Sequence, residues 1–137
     1  MPSVDDVVLL LYEAGVLPEQ ERRRLEQLWD GDKTLKTLSR LAEELSSTVG
    51  VSEFLKGEIR EGHVDRVVIG EYLLLDRIGR GGMGDVYKAR HLLMKRDVAL
   101  KLILASREHS DEGLQRFKRE LRTAGRFMHP NIVTALD

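Results

Sequence analysis

The chain has 137 residues, 42% of them hydrophobic, with 22 Lys and Arg against 23 Asp and Glu for a net charge of -1. That length accommodates one domain, or one small domain with an appendage, and the near-neutral total excludes an electrostatic grip on nucleic acid or an anionic membrane by the chain as a whole. The absence of cysteine excludes disulfides, thiol catalysis and sulfur-ligated zinc.

The charge is unevenly spread. Residues 1–66 carry nine basic and fourteen acidic side chains, a net of -5, and residues 67–137 carry thirteen basic and nine acidic, a net of +4. The hydrophobic period changes at the same place. Residues 1–66 are expected to form a helical N-terminal extension. Ser3 and Asp6 read as a capping box with Asp in place of Glu. Val7, Leu10, Leu11 and Ala14 follow at helical spacing, and Gly15 ends the helix. Pro18 suits the first position of a second helix, with Glu19 and Glu21 in its first turn. Leu25, Leu28 and Trp29 form its stripe and Gly31 stops it. A third helix is expected from about Thr34 to Ser47, with Leu35, Leu38, Leu41, Ala42 and Leu45 on one face. A short fourth starts at Ser52 and includes Phe54 and Leu55. These leucine stripes read as a small helical core rather than a ligand groove.

Residues 67–137 read as β-rich. Val67 to Ile78 is dense in Val, Ile, Leu and Tyr. Val86 to His91 alternates, and Arg96 to Leu104 places Val98, Leu100, Leu102 and Leu104 at period two. A helix is expected from about Asp111 to Phe127 with Leu114, Phe117, Leu121 and Ala124 inward. His129-Pro130-Asn131 ends it before a last strand, Ile132 to Leu136. No stretch approaches the roughly 20 apolar residues of a membrane span. Met1 to Asp6 lacks the basic start of a signal peptide, so a cytoplasmic location is expected.

Gly79-Arg80-Gly81-Gly82-Met83-Gly84 contains G-x-G-x-x-G, which alone fits several folds. A dinucleotide site needs a helix directly after the loop to hold the pyrophosphate. Here Asp85-Val86-Tyr87-Lys88-Ala89-Arg90 is strand-like, so that site is excluded. The remaining arrangement is a strand–loop–strand hairpin folded over a nucleotide. Glycines let backbone N–H groups approach phosphate oxygens, and Val86 falls where an apolar side chain would cover a purine. Lys101, in Val98-Ala99-Leu100-Lys101, supplies a cation on the next strand, and small Ala99 leaves room for the base. Glu120, between Phe117 and Leu121, is placed to hold Lys101. The basic run Arg116, Lys118, Arg119, Arg122 and Arg126 reads as a solvated helix face. His63, His91, His109 and His129 have no ligand-type spacing.

With these residues in order, the sequence resembles the protein kinases, and most closely the bacterial serine/threonine kinases of the eukaryotic (Hanks) type. The resemblance rests on Ile78 to Tyr87, on Val98 to Lys101 with Leu100 in place of the usual Ile, on Arg116 to Glu120, and on His129 to Val133. It covers residues from about Gly70 to Asp137 and implies an α+β fold: the N-terminal lobe, with an antiparallel sheet, helix C and strand four, after a small all-α segment. It implies ATP as cofactor, held by Ile78, Gly79, Arg80, Gly81, Gly82, Met83, Gly84, Asp85, Val86, Ala99 and Lys101, with Lys101 and Glu120 as the supporting ion pair. It implies Mg²⁺ and a protein substrate for the complete enzyme, and transfer of the γ-phosphate to Ser or Thr.

Phosphoryl transfer also needs a catalytic-loop Asp and metal-binding Asn and Asp residues. No H-R-D, D-F-G or A-P-E sequence occurs in the 137 residues, so no metal ligands are assigned and the chain alone is expected to be inactive. The competing expectation is a non-catalytic interaction module whose N-terminal helices bind a protein partner. The intact glycine loop, Lys101 and Glu120 weigh against it.

Overall fold

A computed structural model describes residues 2–80, 84–103 and 132–136. Helix α1 (Val4–Glu13) opens with the expected capping box: Ser3 Oγ accepts from the Asp6 N–H at 3.1 Å, and the Asp6 carboxylate accepts from the Ser3 N–H at 3.2 Å. The chain leaves it through Gly15 at φ +76°, a left-handed conformation that strains a residue bearing a β-carbon. Helix α2 (Glu19–Gly31) starts directly after Pro18, which is the N-cap rather than the first helical residue.

The third helix begins later than its leucine spacing suggests. Asp32 Oδ1 accepts from both the Thr34 N–H (3.0 Å) and the Thr34 hydroxyl (2.6 Å), which diverts Lys33–Leu35 into a 3-10 turn. Helix α3 then spans Leu38–Thr48, with Thr37 as N-cap accepting from the Arg40 N–H. Helix α4 (Glu53–Arg60) is capped by Ser52, and α5 (Val64–Val67) is a single turn. Leu11, Leu25, Leu41, Leu45, Leu55 and Ile59 are fully buried and form the helical core.

The sheet runs in the order β1 (Val68–Ile69), β2 (Tyr72–Arg80), β3 (Gly84–His91), β4 (Asp97–Ile103), β5 (Ile132–Leu136). The apolar run after Val67 is not one strand. Gly70, at φ +57°, turns with Glu71, so that Val68 pairs with Leu73 and Ile69 with Tyr72 in an antiparallel hairpin. Residues 81–83 join β2 to β3, and Leu92–Arg96 joins β3 to β4. Neither link is long enough for a parallel crossover, so these pairs are antiparallel. β5 adds to β4 in parallel, with Ala99 opposite Ile132 and Lys101 opposite Thr134. The chain between β4 and β5, residues 104–131, is long enough for the crossover that a parallel pair requires. The class is α+β, as expected. The expected helix from Asp111 to Phe127, its basic face, Glu120 and the His129-Pro130-Asn131 turn lie outside the described residues.

Two compact units divide the chain. The first comprises Met1–Asp76 with Arg90–Arg96, and the second Arg77–Ala89 with Asp97–Asp137. In the first, Leu73 and Leu74 at the start of β2 are 0% and 2% exposed. Successive strand residues point to opposite faces, so both faces of β2 are covered here. The β3–β4 turn is tied back by the Leu92 N–H to the Glu71 carbonyl (2.8 Å) and by the Met94 N–H to His91 Nδ1 (2.9 Å).

Candidate functional site

The second unit holds the glycine hairpin and the strand beside it. β2 enters the loop through Ile78, which is 56% exposed, then Gly79 and Arg80. β3 leaves it through Gly84, which is buried, and half-buried Asp85 and Val86. A β-carbon placed on Gly79 would stand 3.7 Å from Val86 Cβ. This is ordinary van der Waals contact, and it shows how closely the two stems approach. Gly81, Gly82 and Met83, at the tip of the expected phosphate-binding loop, lie outside the described residues.

Strand β4, next to β3, carries the cation. Leu100 (0% exposed) and Leu102 (6%) are buried while Ala99 and Lys101 are half-buried. The period-two alternation therefore puts Ala99 and Lys101 on the same face of β4, opposite the leucines. The described candidate residues thus occupy three consecutive strands: Ile78, Gly79 and Arg80 on β2, Gly84, Asp85 and Val86 on β3, and Ala99 and Lys101 on β4. Glu120, the expected partner of Lys101, lies outside the described residues.

One contact at the loop stems was not announced by the motif. Arg77 Nη1 lies 3.8 Å from Asp85 Oδ2, while Asp85 Oδ1 is buried with no hydrogen-bond partner among the described residues. A buried carboxylate oxygen left without a donor is costly. No sequence spacing announces the pair, because one partner precedes the loop and the other follows it.

The described residues suit a triphosphate better than a metal ion. A glycine hairpin with an adjacent lysine offers backbone N–H groups and one cation to phosphate oxygens. Among the described residues no group of three His, Cys, Asp or Glu side chains could hold a metal ion, so no step through Mg²⁺ follows from them. Also among these residues, no helix is long and apolar enough to cross a membrane.

The profile of the protein kinase domain matches residues 72–137. Serine/threonine-protein kinase PrkC of Bacillus subtilis (strain 168) is 36% identical over 74 residues, covering 54% of this chain and 11% of PrkC. Serine/threonine-protein kinase PknE of Mycobacterium tuberculosis (strain H37Rv) is 42% identical over 80 residues, covering 58% of this chain and 13% of PknE. Serine/threonine-protein kinase PknH of the same strain is 41% identical over 70 residues, covering 51% of this chain and 11% of PknH. The chain therefore spans at most 13% of the length of these three relatives. No solved structure matches it at a significant level.

Proposed function

Residues 72–137 belong to the protein kinase domain family, as the N-terminal lobe of its bacterial serine/threonine type, and from that premise we propose that they bind ATP. The observation that carries the reading is the arrangement of the β2 and β3 stems of the hairpin, so close that a β-carbon on Gly79 would stand 3.7 Å from Val86 Cβ, with Lys101 on the neighbouring strand. In this reading the loop backbone from Gly79 to Gly84 surrounds the phosphates, and Lys101 pairs the α- and β-phosphates. Val86 and Ala99 bracket the adenine, and Glu120 fixes the Lys101 ammonium. Bound ATP would supply the γ-phosphoryl group for transfer to a protein Ser or Thr.

The residues of this chain bind and orient, but they do not complete the transfer. Catalytic-loop and metal-binding motifs do not occur in the 137 residues, so the isolated chain is expected to show no phosphoryl transfer above background to a generic protein acceptor. Calorimetric titration of ATP tests the binding itself. Saturable binding weaker than nanomolar, weakened roughly 10- to 100-fold in Lys101→Ala, is the expected result. No heat in the wild-type chain, and no competition from ADP for a fluorescent nucleotide, would remove the reading.

A further inference from the structure

An ion pair tells the two faces of the β3–β4 pair apart. Lys88 Nζ on β3 lies 3.9 Å from Asp97 Oδ2 on β4, so these side chains meet on one face of adjacent strands. Successive strand residues alternate between faces. Val86, two residues before Lys88, therefore shares that face with Ala99 and Lys101, two and four residues after Asp97. Asp85 falls on the other face, with Ala89 (0% exposed) on its own strand and with Leu100 and Leu102 on β4. The motif groups Asp85 with the residues expected to hold ATP, and the alternation separates it from them.

On that face the Asp85 side chain is 13% exposed, and its Oδ2 stands 3.8 Å from Arg77 Nη1 of β2. Removing the cation from a largely buried ion pair leaves an uncompensated charge, which is costly. Arg77 precedes Gly79 by two residues and Asp85 follows Gly84 by one, so the pair joins the two stems at the base of the loop. Every residue in this arrangement belongs to the second unit, Arg77–Ala89 with Asp97–Asp137.

We propose that Asp85 is a positioning residue and not a nucleotide contact: paired with Arg77, it fixes β2 against β3 on the face away from Val86, Ala99 and Lys101. Its part in binding rests on the ATP site proposed above, but the tie between the stems does not.

Two measurements keep these apart. Without nucleotide, Asp85→Asn, which is close in shape but uncharged, should speed hydrogen exchange of the β2 and β3 stem amides roughly three- to tenfold. Arg77→Gln should do the same, and the double variant should be no faster than the more severe single one, as expected of two residues that act as a pair. Asp85→Glu keeps the charge and should lose less than Asp85→Asn. By calorimetry, Asp85→Asn should also weaken ATP binding. A carboxylate facing the phosphates would act with the opposite sign, because its removal relieves repulsion and tightens binding. Tighter or unchanged ATP binding in a folded Asp85→Asn protein overturns the positioning role, and additive effects of the two substitutions on exchange overturn the tie. If the wild-type chain binds no ATP, the proposed ATP site falls, and the exchange cycle still upholds or overturns the tie. Should Asp85→Asn fail to fold, Arg77→Gln carries the test with the same expected signs, and wild-type exchange in both stems overturns the proposal.

Discussion

In the helical unit, Leu11, Leu25, Leu41 and Leu45 are each 1% exposed or less. Around the glycine loop, by contrast, Ile78 is 56% exposed and Asp85 keeps a buried oxygen with no partner among the described residues. The first region puts apolar side chains where they stabilise a core. The second places glycine, a half-buried cation and an undersatisfied carboxylate on its strands instead. Such local conflicts are expected where a chain serves binding rather than stability. The contrast implies that substitutions in the two regions should separate stability from the proposed nucleotide affinity.

The largest stability effect is expected from Leu41→Ala in α3. Leu41 is 0% exposed, and truncating a fully buried leucine costs about 2–5 kcal/mol, through lost transfer energy and the cavity left behind. For a domain of this size that lowers the melting temperature by roughly 8–20 °C. A drop of only a degree or two would show that the helical core is not the stabilising half of the molecule.

Lys101→Ala should do the reverse. In the proposed site, loss of one charge-assisted contact to phosphate would weaken ATP binding by roughly 10- to 100-fold, while Lys101 is only half-buried, so its truncation opens no core cavity. Its melting temperature should stay within a few degrees of wild type. Unchanged ATP affinity in a folded Lys101→Ala protein would detach the lysine from the proposed site and erase the contrast.

What was legible in the sequence depends on the range of the interaction. The Ser3–Asp6 box, the exit at Gly15, the buried stripe of Leu41, Ala42 and Leu45, and the strand Ile132–Leu136 are written in contiguous residues, and each is observed. The late start of α3 was harder to read, because the Asp32–Thr34 bonds compete with a helix that the leucine spacing alone would begin at Thr34. The Gly70–Glu71 hairpin was hidden because Val, Ile and Leu flank it on both sides, and only the positive φ of Gly70 divides the run. The strands that carry Gly79, Gly84 and Lys101 were legible because apolar alternation flanks the glycine motif on both sides. The hydrogen bonds from Ser52 to the Leu75 carbonyl and from Arg90 to the Ala14 carbonyl join residues far apart in the chain and have no periodicity to announce them.

A smaller effect tests the junction beside the helical core. Gly15→Ala places a β-carbon at φ +76°, which costs about 1–2 kcal/mol. Its neighbours at 3.7 and 3.8 Å are at ordinary contact distance, so the cost is in the backbone. Gly15→Asn should recover part of the loss, since asparagine tolerates the left-handed region. Equal melting temperatures for the alanine variant and the wild type would show that the α1 exit relaxes freely.

The smallest expected effect lies on the solvent face of α2 and depends on pH. Arg22 donates to both Glu19 oxygens, at 3.1 and 2.5 Å, and Arg23 donates to one at 3.0 Å. Hydrogen bonding from Arg22 first, then from Tyr12 and Arg23, holds the Glu19 carboxyl down to about 2 from an ordinary 4.5. A carboxyl depressed in the folded state stabilises fully above its unfolded value and loses that contribution as pH falls from 4.5 toward 2. Glu19→Gln should therefore lower the melting temperature by roughly 1–3 °C at pH 7, and the gap should narrow at pH 3. High salt should narrow it too, because the pair is exposed and screened. A gap that stays constant from pH 7 to pH 3 would mean that the Glu19 side chain acts through its shape, and that ion pairing on α2 adds nothing to the stability supplied by the core beneath it.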